Sequence, residues 1–393
     1  MQIAQRITDL AESATLAVSA KAARLRADGI DVIGFGAGQP DFPTPSHIVQ
    51  AGIGALEAGH TGYVNPASGL LLAKKAVCTK LARDNALTYT PDQVIITSGG
   101  KMACYLAIHA VVNPGDEVII PKPYWVSYPE IVKLAGGKPV YVTGPEENDF
   151  KVSPELLARV VTNRTRLVVL NSPSNPSGVT YTPPEIRGLA QVLQHQNLCV
   201  LSDEIYDQLV FAGHEVLSYA AVNEHTYAQT ITLNSASKTY AMTGWRLGYA
   251  AGPVEMIKAM AKLQSQSTSG AVTFNQHALA EALTGNHDTF QTMRDEFERR
   301  GQHMWQRLSA MPSVRCPKPT GAFYCFPNVS GTYERLGVSG SIEFADRLIE
   351  EARVAVVPGI AFGMDEHVRL SYATSMENID KGLDRMSKWV RSP

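Results

Sequence analysis

The sequence predicts an α/β fold, a mostly parallel sheet covered by helices on both faces, followed by a smaller α+β unit. Three observations carry this. Between Gln93 and Ala251, short continuous apolar runs alternate with helical stretches, the pattern of strands buried on both faces and joined by crossover helices. Beyond about residue 286 the alternation gives way to a long charged helix and isolated strands, so a second packing unit begins. The 393 residues also exceed what one ordinary core accommodates.

Taken in order, Ser19–Asp28 (SAKAARLRAD) has helical composition and stops at Gly29, and Asp31–Phe35 is a short strand. Gly36–Pro45 (GAGQPDFPTP) is too dense in Gly and Pro for a helix, and Gly38 would let a ligand approach the backbone. Helices follow at His47–Ala58 and Leu70–Asn85, separated by a Gly-rich polar loop that carries Tyr63. The strand Gln93–Thr97 ends at Ser98-Gly99-Gly100-Lys101, before a helix over Met102–Val112. Free N–H groups and the helix dipole make that junction suited to an anion. It is not a GxGxxG turn, so a dinucleotide site is poorly supported.

Glu117–Pro121 is the next strand, and Tyr124-Trp125 opens a helix where the aromatic either stacks on a planar ligand or fills the core. Lys138–Thr143 reads as a strand and Ser153–Val161 as a helix. Arg166–Leu170 (RLVVL) runs into NSPSNPSG, Asn171–Gly178, a rigid loop at the carboxyl edge of the sheet, where α/β proteins bind ligands. The helix Pro184–Gln196 leads to the strand Asn197–Leu201, which ends at Ser202-Asp203-Glu204-Ile205-Tyr206. A carboxylate there needs a cation or a donor, and Tyr206 can share its pocket. Strands Gln229–Leu233 and Leu247–Ala251 and helices Val254–Gln266 and Phe274–Leu283 complete the first unit. Right-handed crossovers place Ser98–Lys101, Asn171–Gly178, Asp203 and Lys238 on one edge.

The second unit is expected to join through a continuous helix. It comprises helix Asp288–Leu308, strand Gly321–Phe326, helix Ser341–Ala352, strands Val354–Val357 and His367–Tyr372, and a closing helix over Met376–Val390. Arg369 stands among apolar neighbours in its strand; held in place, it offers a bidentate fork for a carboxylate.

The stretch Ser235–Tyr249 (SASKTYAMTGWRLGY) concentrates the chemistry. Lys238 follows a buried strand amid small and hydroxyl-bearing residues, and Arg246 comes eight residues later. A lysine that is partly desolvated beside another cation loses its proton more easily and becomes a nucleophile. Hydroxyls and an arginine suit a phosphate. A reactive lysine beside a phosphate cup is what pyridoxal 5'-phosphate chemistry requires. A lone lysine in such a loop is more often a solvated charge, so the weight rests on the other segments.

Composition narrows the classes further. A net charge of −2 gives no basic field for nucleic acid. No apolar run is long enough to span a membrane, and the first residues lack the pattern of a secretory signal. The five scattered cysteines contain no CxxC pair, so neither a disulfide frame nor a zinc site is expected, and a reducing, cytoplasmic setting fits.

The segments SGGK, PYWVSYPE, NSPSNPSG, SDEIYD, SASKTYAMTGWRLGY and HVRLSYATS occur in the order in which class I aminotransferases carry them. The chain resembles the bacterial aspartate aminotransferases of the second, thermophile-like subgroup over nearly its whole length. The resemblance implies the fold called PLP transferase fold type I, with a seven-stranded-type sheet in a large domain over 48–289. A small domain would be built from 1–47 and 290–393. It implies a homodimer with shared active sites, amino-acid and 2-oxo-acid substrates, and no metal.

It also implies roles for single residues. Lys238 matches the lysine that forms the internal aldimine, Asp203 the partner of the pyridine nitrogen, Tyr206 and Asn175 the partners of the ring oxygen, and Trp125 the stacking aromatic. Gly99, Gly100, Ser235, Ser237 and Arg246 match the phosphate cup, which Tyr63 would reach from the other subunit. Arg369 matches the α-carboxylate clamp, with Gly38 and Asn175 beside it, and Lys101 part of the distal-carboxylate site. The expected reaction moves the amino group of L-aspartate to 2-oxoglutarate. Leu10–Val18 reads LAESATLAV where relatives often carry Lys-Pro before the Ser, and the missing lysine argues against prephenate as a second substrate. Alternatives on the same fold are an aromatic, kynurenine or alanine aminotransferase and a β-lyase. A PLP-binding regulator and a nucleotide-binding protein are more distant ones.

Overall fold

The computed structural model describes residues 2–11, 14–286 and 288–392. Its strands are, in chain order, β1 (Ile33–Gly34), β2 (Val94–Thr97), β3 (Glu117–Lys122), β4 (Lys138–Thr143), β5 (Thr165–Asn171), β6 (Cys199–Asp203), β7 (Thr230–Ser235), β8 (Gly248–Ala251), β9 (Tyr324–Cys325), β10 (Val354–Ala355), β11 (Val357–Pro358) and β12 (Val368–Ser371). Seven of them form one sheet in the order β2-β8-β7-β6-β5-β3-β4. Only β8 runs antiparallel to its neighbours, between β2 and β7.

The period of two along each strand sorts its side chains between two cores. In β5, Leu167 and Val169 pack with Val118, Ile120, Leu201 and Ile231 under the helix Gly100–Val111, whereas Val168 and Leu170 pack with Ile119 and Val200 on the opposite face. Both faces are therefore closed to water, as the continuous apolar runs require. Register then aligns the carboxyl ends: Asn171 lies opposite Asp203, Asp203 opposite Leu233, and Ser235 and Thr97 both opposite Gly248.

The C-terminal strands are short. β9 and β11 flank β12 in an antiparallel sheet, and β10 pairs parallel with β1. The long helix Asp288–Ser309 and the closing helix Met376–Val390 cover them through Phe297, Met304, Leu308, Leu383 and Met386.

Several boundaries differ from expectation for local reasons. The first long helix runs over Ala14–Ala27, starting earlier than Ser19, and its Thr15, Leu16 and Ser19 reach the cavity described below. Within Leu10–Val18, Glu12 and Ser13 lie outside the described residues. Gly321–Phe326 is not one strand: Ala322 adopts φ +55°, Gly321 makes an isolated bridge to Val210, and Tyr324–Cys325 pairs with β12. Val354–Val357 splits, because Val354–Ala355 joins β1 while Val357–Pro358 turns to β12. Pro358, lacking an N–H, sits on the edge strand. The expected continuous joining helix is broken, since one helix ends at Thr284 and the next starts at Asp288.

Candidate active site

A cavity of about 470 Å³ opens at the carboxyl edge of the sheet and is closed on its far side by Tyr324 and Arg369. Lys238, Asp203, Tyr206, Asn175, Trp125, Gly38, Gly100, Lys101, Ser237, Arg246 and Arg369 all line it. Segments 38 to 369 in the sequence thus converge on one volume.

Lys238 stands on a short helix, Ala236–Thr239, that begins directly at the end of β7, with the Ser235 hydroxyl accepting the Ser237 N–H at 3.0 Å. Its Nζ donates to the Gly38 carbonyl. Among the described residues it makes no ion pair with a carboxylate, and its neighbours include Arg369 and Arg246. Enclosure first, and those two guanidiniums second, bring its pKa down to about 8, with the Asp203 charge pulling the other way. About a tenth of the amine is then free at pH 7, far more than for a solvated lysine.

Asp203 ends β6 and is 5% exposed. Burial pushes its pKa up to about 6, against the hydrogen bonds that favour the charged form. Tyr128 Oη donates to Oδ2 at 2.6 Å and the Ile205 N–H to Oδ1 at 3.2 Å. The carboxylate is therefore fixed in orientation yet short of a cation. Tyr206 Oη lies 3.0 Å from Tyr324 Oη, and burial lifts both phenols.

Arg369 is 2% exposed in β12. It donates to Asn175 Oδ1 at 2.9 Å and to the Gly36 carbonyl at 3.0 Å, and its guanidinium lies 4.6 Å from the Tyr324 ring. Its Nε has no hydrogen-bond partner among the described residues. A buried arginine held by neutral acceptors is prepared for an anionic ligand.

The anion end is built from main chain. Gly99, at φ +89°, caps the helix Gly100–Val111, and a Cβ there would collide with the Arg246 guanidinium. Ser237 faces the cavity. Ser235 stands behind it, pairing with Ser237 Oγ at 2.8 Å and donating to the Leu247 carbonyl at 2.7 Å. Lys101 lies 5.2 Å from the Trp125 ring, and its pKa is lowered by burial and then by Arg246. Tyr63 is 93% exposed on the outer surface and is not brought to the cavity of its own chain.

Sequence reasoning missed Tyr128 and Tyr324, whose partners lie far along the chain, and Thr15, Leu16 and Ser19, which form one wall. The only signal for Tyr128 is its place in the segment that holds Trp125.

The arrangement offers a nucleophilic amine, a buried carboxylate able to hold a proton, an anion cradle and a carboxylate clamp within one cavity. The family described as "Aminotransferase class I and II" matches residues 30–386. The aspartate aminotransferase of Bacillus subtilis is 45% identical over 390 residues, 99% of each chain. An aspartate/prephenate aminotransferase of Cereibacter sphaeroides is 46% identical over 380 residues, 95% of each. The solved structure of Thermus thermophilus aspartate aminotransferase with maleate superposes with a TM-score of 0.94 at 40% identity, covering 99% of this chain and 100% of that one. By profile, sequence and fold alike, the chain belongs to the class I and II aminotransferases.

Proposed function

We propose that this enzyme moves the amino group of L-aspartate to 2-oxoglutarate, giving oxaloacetate and L-glutamate by a ping-pong cycle. The observation that carries the choice of substrate is a cavity with two separate cations for carboxylates, Arg369 on the small unit and Lys101 beside Trp125, around one amine, Lys238. Relatives named for aspartate, and one solved with the dicarboxylate maleate, support the same reading.

Members of the family use pyridoxal 5'-phosphate. The residues present fit it: a depressed lysine, a buried carboxylate lacking a cation, and a glycine-lined helix N-terminus beside an arginine. In this reading Lys238 carries the cofactor, Asp203 faces the ring nitrogen, Tyr206 and Asn175 face the ring oxygen, and Trp125 covers the ring. Gly99, Gly100, Ser235, Ser237 and Arg246 take the phosphate, with Lys101 near it and Tyr63 of a second copy completing the cup. Arg369, with Gly38 and Asn175, binds the substrate's α-carboxylate. We assign 48–289 to a large domain and 1–47 with 290–393 to a small one, and take the working form as a cytoplasmic homodimer.

When bound, the cofactor supplies an electron-withdrawing ring that stabilises negative charge at the substrate's Cα. The protein does the rest. Asp203 holds a proton at the ring nitrogen, where a cation would satisfy the carboxylate that is now short of one. Lys238 Nζ would take the proton from the substrate Cα and deliver it to the cofactor carbon on the other side of the bridging nitrogen, first base and then acid, a role suited to an amine whose pKa is about 8. Arg369 and Asn175 orient the substrate so that the Cα–H faces Lys238.

Prephenate as a second acceptor is favoured by the Cereibacter relative and opposed by Ala11, which stands where relatives often carry a lysine. The deciding experiment is the visible spectrum of the purified protein with single L-amino acids and no keto acid. Aspartate and glutamate are expected to abolish the absorption of the lysine-linked cofactor, and alanine or phenylalanine to act weakly. Preferential bleaching by phenylalanine or alanine would remove the aspartate assignment. A protein that binds no PLP would remove the cofactor.

A further inference from the structure

The turn that carries Arg246 is strained. Ala241 and Arg246, one at each end of it, adopt φ of +51° and +55°, a left-handed conformation that side chains disfavour. Such residues persist where surrounding structure holds them. Here the holders come from distant segments. Thr44 Oγ1 donates to the Ala241 carbonyl at 2.8 Å and accepts the Trp245 Nε1–H at 3.0 Å, so one hydroxyl ties both ends of the turn. Asn275 Nδ2 donates to the Trp245 carbonyl at 2.8 Å, one residue before Arg246. Gly52 makes room for the indole, since a Cβ there would fall 2.7 Å from it. Arg246 itself then reaches the Thr243 carbonyl at 2.8 Å and lies against Gly99, at the N-terminus of the helix Gly100–Val111. Neither Thr44 nor Asn275 lines the cavity.

We infer that Thr44 and Asn275 are positioning residues for the cofactor's phosphate, holding Arg246 in the left-handed conformation that aims its guanidinium at the helix N-terminus. This rests on the assignment of Arg246 to the phosphate made above. Thr44 belongs to the Gly36–Pro45 loop, whose Gly36 and Gly38 carbonyls receive Arg369 and Lys238. A second contact of the same loop, Thr243 Oγ1 to Gln39 Oε1 at 3.2 Å, reinforces the tie. One loop thus connects the carboxylate clamp to the phosphate cup.

The test titrates apo-protein with PLP and, separately, with pyridoxal, which lacks the phosphate, following the visible absorption of the lysine-linked product. Thr44→Val deletes both hydrogen bonds at nearly constant volume. It is expected to weaken PLP binding about tenfold, the scale of one or two lost hydrogen bonds, and to leave pyridoxal unchanged. Thr44→Ser keeps both bonds and is expected to match the parent protein. Asn275→Ala is expected to act in the same direction as Thr44→Val and serves in its place if that variant does not fold. Equal weakening of PLP and pyridoxal, unchanged PLP binding, or failure of Thr44→Ser to restore it would each overturn the inference. Arg246→Ala separates the two levels. If it retains full PLP affinity, the phosphate assignment itself falls. If it loses affinity while Thr44→Val and Asn275→Ala do not, only the positioning role falls.

Discussion

Two polar clusters flank the turn that leaves β6, and they differ in what they leave open. Behind the turn, Lys80 donates to Asp207 Oδ2 and to Asn85 Oδ1 at 2.6 Å. Glu204 accepts from Ser202 at 2.8 Å, Ser218 at 2.6 Å and Asn85 at 3.0 Å. In front of it, Asp203 and Lys238 share the cavity with two arginines, and among the described residues Lys238 donates to a carbonyl, that of Gly38. Both clusters hold a lysine and carboxylates away from bulk water. The rear one pairs its lysine with Asp207 inside the protein and anchors the chain, and its second carboxylate, Glu204, is held by neutral donors while burial pushes its pKa up to about 7. In the front one, among the described residues, the lysine itself has no carboxylate in ion-pair contact. Burial alone therefore does not mark a reactive lysine. It lowers the Lys238 pKa most, and the nearby Arg369 and Arg246 add to it against the pull of Asp203.

Substitutions on the two sides should separate these roles. The largest effect is expected for Lys238→Ala, with turnover of aspartate and 2-oxoglutarate falling about 10³-fold or more and the visible absorption of the lysine-linked cofactor gone. Near-normal rates would place the proton transfer elsewhere. The same variant gives a pH test on the apo-protein. Lys238 binds its proton less tightly folded, near pH 8, than unfolded, near 10.5, so the unfolded state holds more protons across that window. Parent apo-protein is expected to gain stability from this group as pH rises from about 8 to 10.5. Lys238→Ala lacks that gain, which denaturant midpoints across the window would show.

On the closed side, Lys80→Met leaves Asp207 buried without its cation and is expected to cost about 3–5 kcal/mol in urea unfolding. Cofactor absorption in the fraction that remains folded should be unaltered. An unchanged unfolding midpoint would mean that the cluster is not an anchor. The smallest effect is expected for Tyr128→Phe, which removes one hydrogen bond from Asp203. A loss of about tenfold in kcat with little change in KM fits a bond to a charged group, and its loss should let the Asp203 pKa rise further from about 6. A change confined to KM would assign Tyr128 to substrate binding instead.

Much of this was legible in the sequence because buried parallel strands leave a pattern that composition alone carries. Arg166–Leu170 is apolar at every position after Arg166, since each face of β5 meets a different core. Motif order supplied the site, and every residue that it named except Gly99, Ser235 and Tyr63 lines the cavity itself. What stayed hidden were pairings between distant segments, such as Tyr128 with Asp203, Lys80 with Asp207 and Thr44 with Trp245. No local spacing encodes these. The C-terminal strands were misjudged because apolar runs there are buried by irregular chain as well as by pairing, as Ala322 shows.

The reversed direction of β8 has a consequence for how such an enzyme can change. Because β8 starts where β7 ends, with Ser235 opposite Gly248, a single short loop delivers both Lys238 and Arg246 to the same edge. In the proposed reading, Lys238 and the arginine of the phosphate cup are thus written in one place, between β7 and β8, whereas Asp203 ends β6 and Gly99 and Gly100 follow β2. The half that meets the substrate's carboxylate is borrowed from β12 and from the Gly36–Pro45 loop, at opposite ends of the chain. In that reading, drift in the borrowed parts would weaken the hold on every amino acid alike, whereas a change at Lys101, in the first turn of the helix Gly100–Val111, would alter which one is accepted. Insertions between Ser235 and Gly248 would disturb the cofactor's linkage and its phosphate cup together.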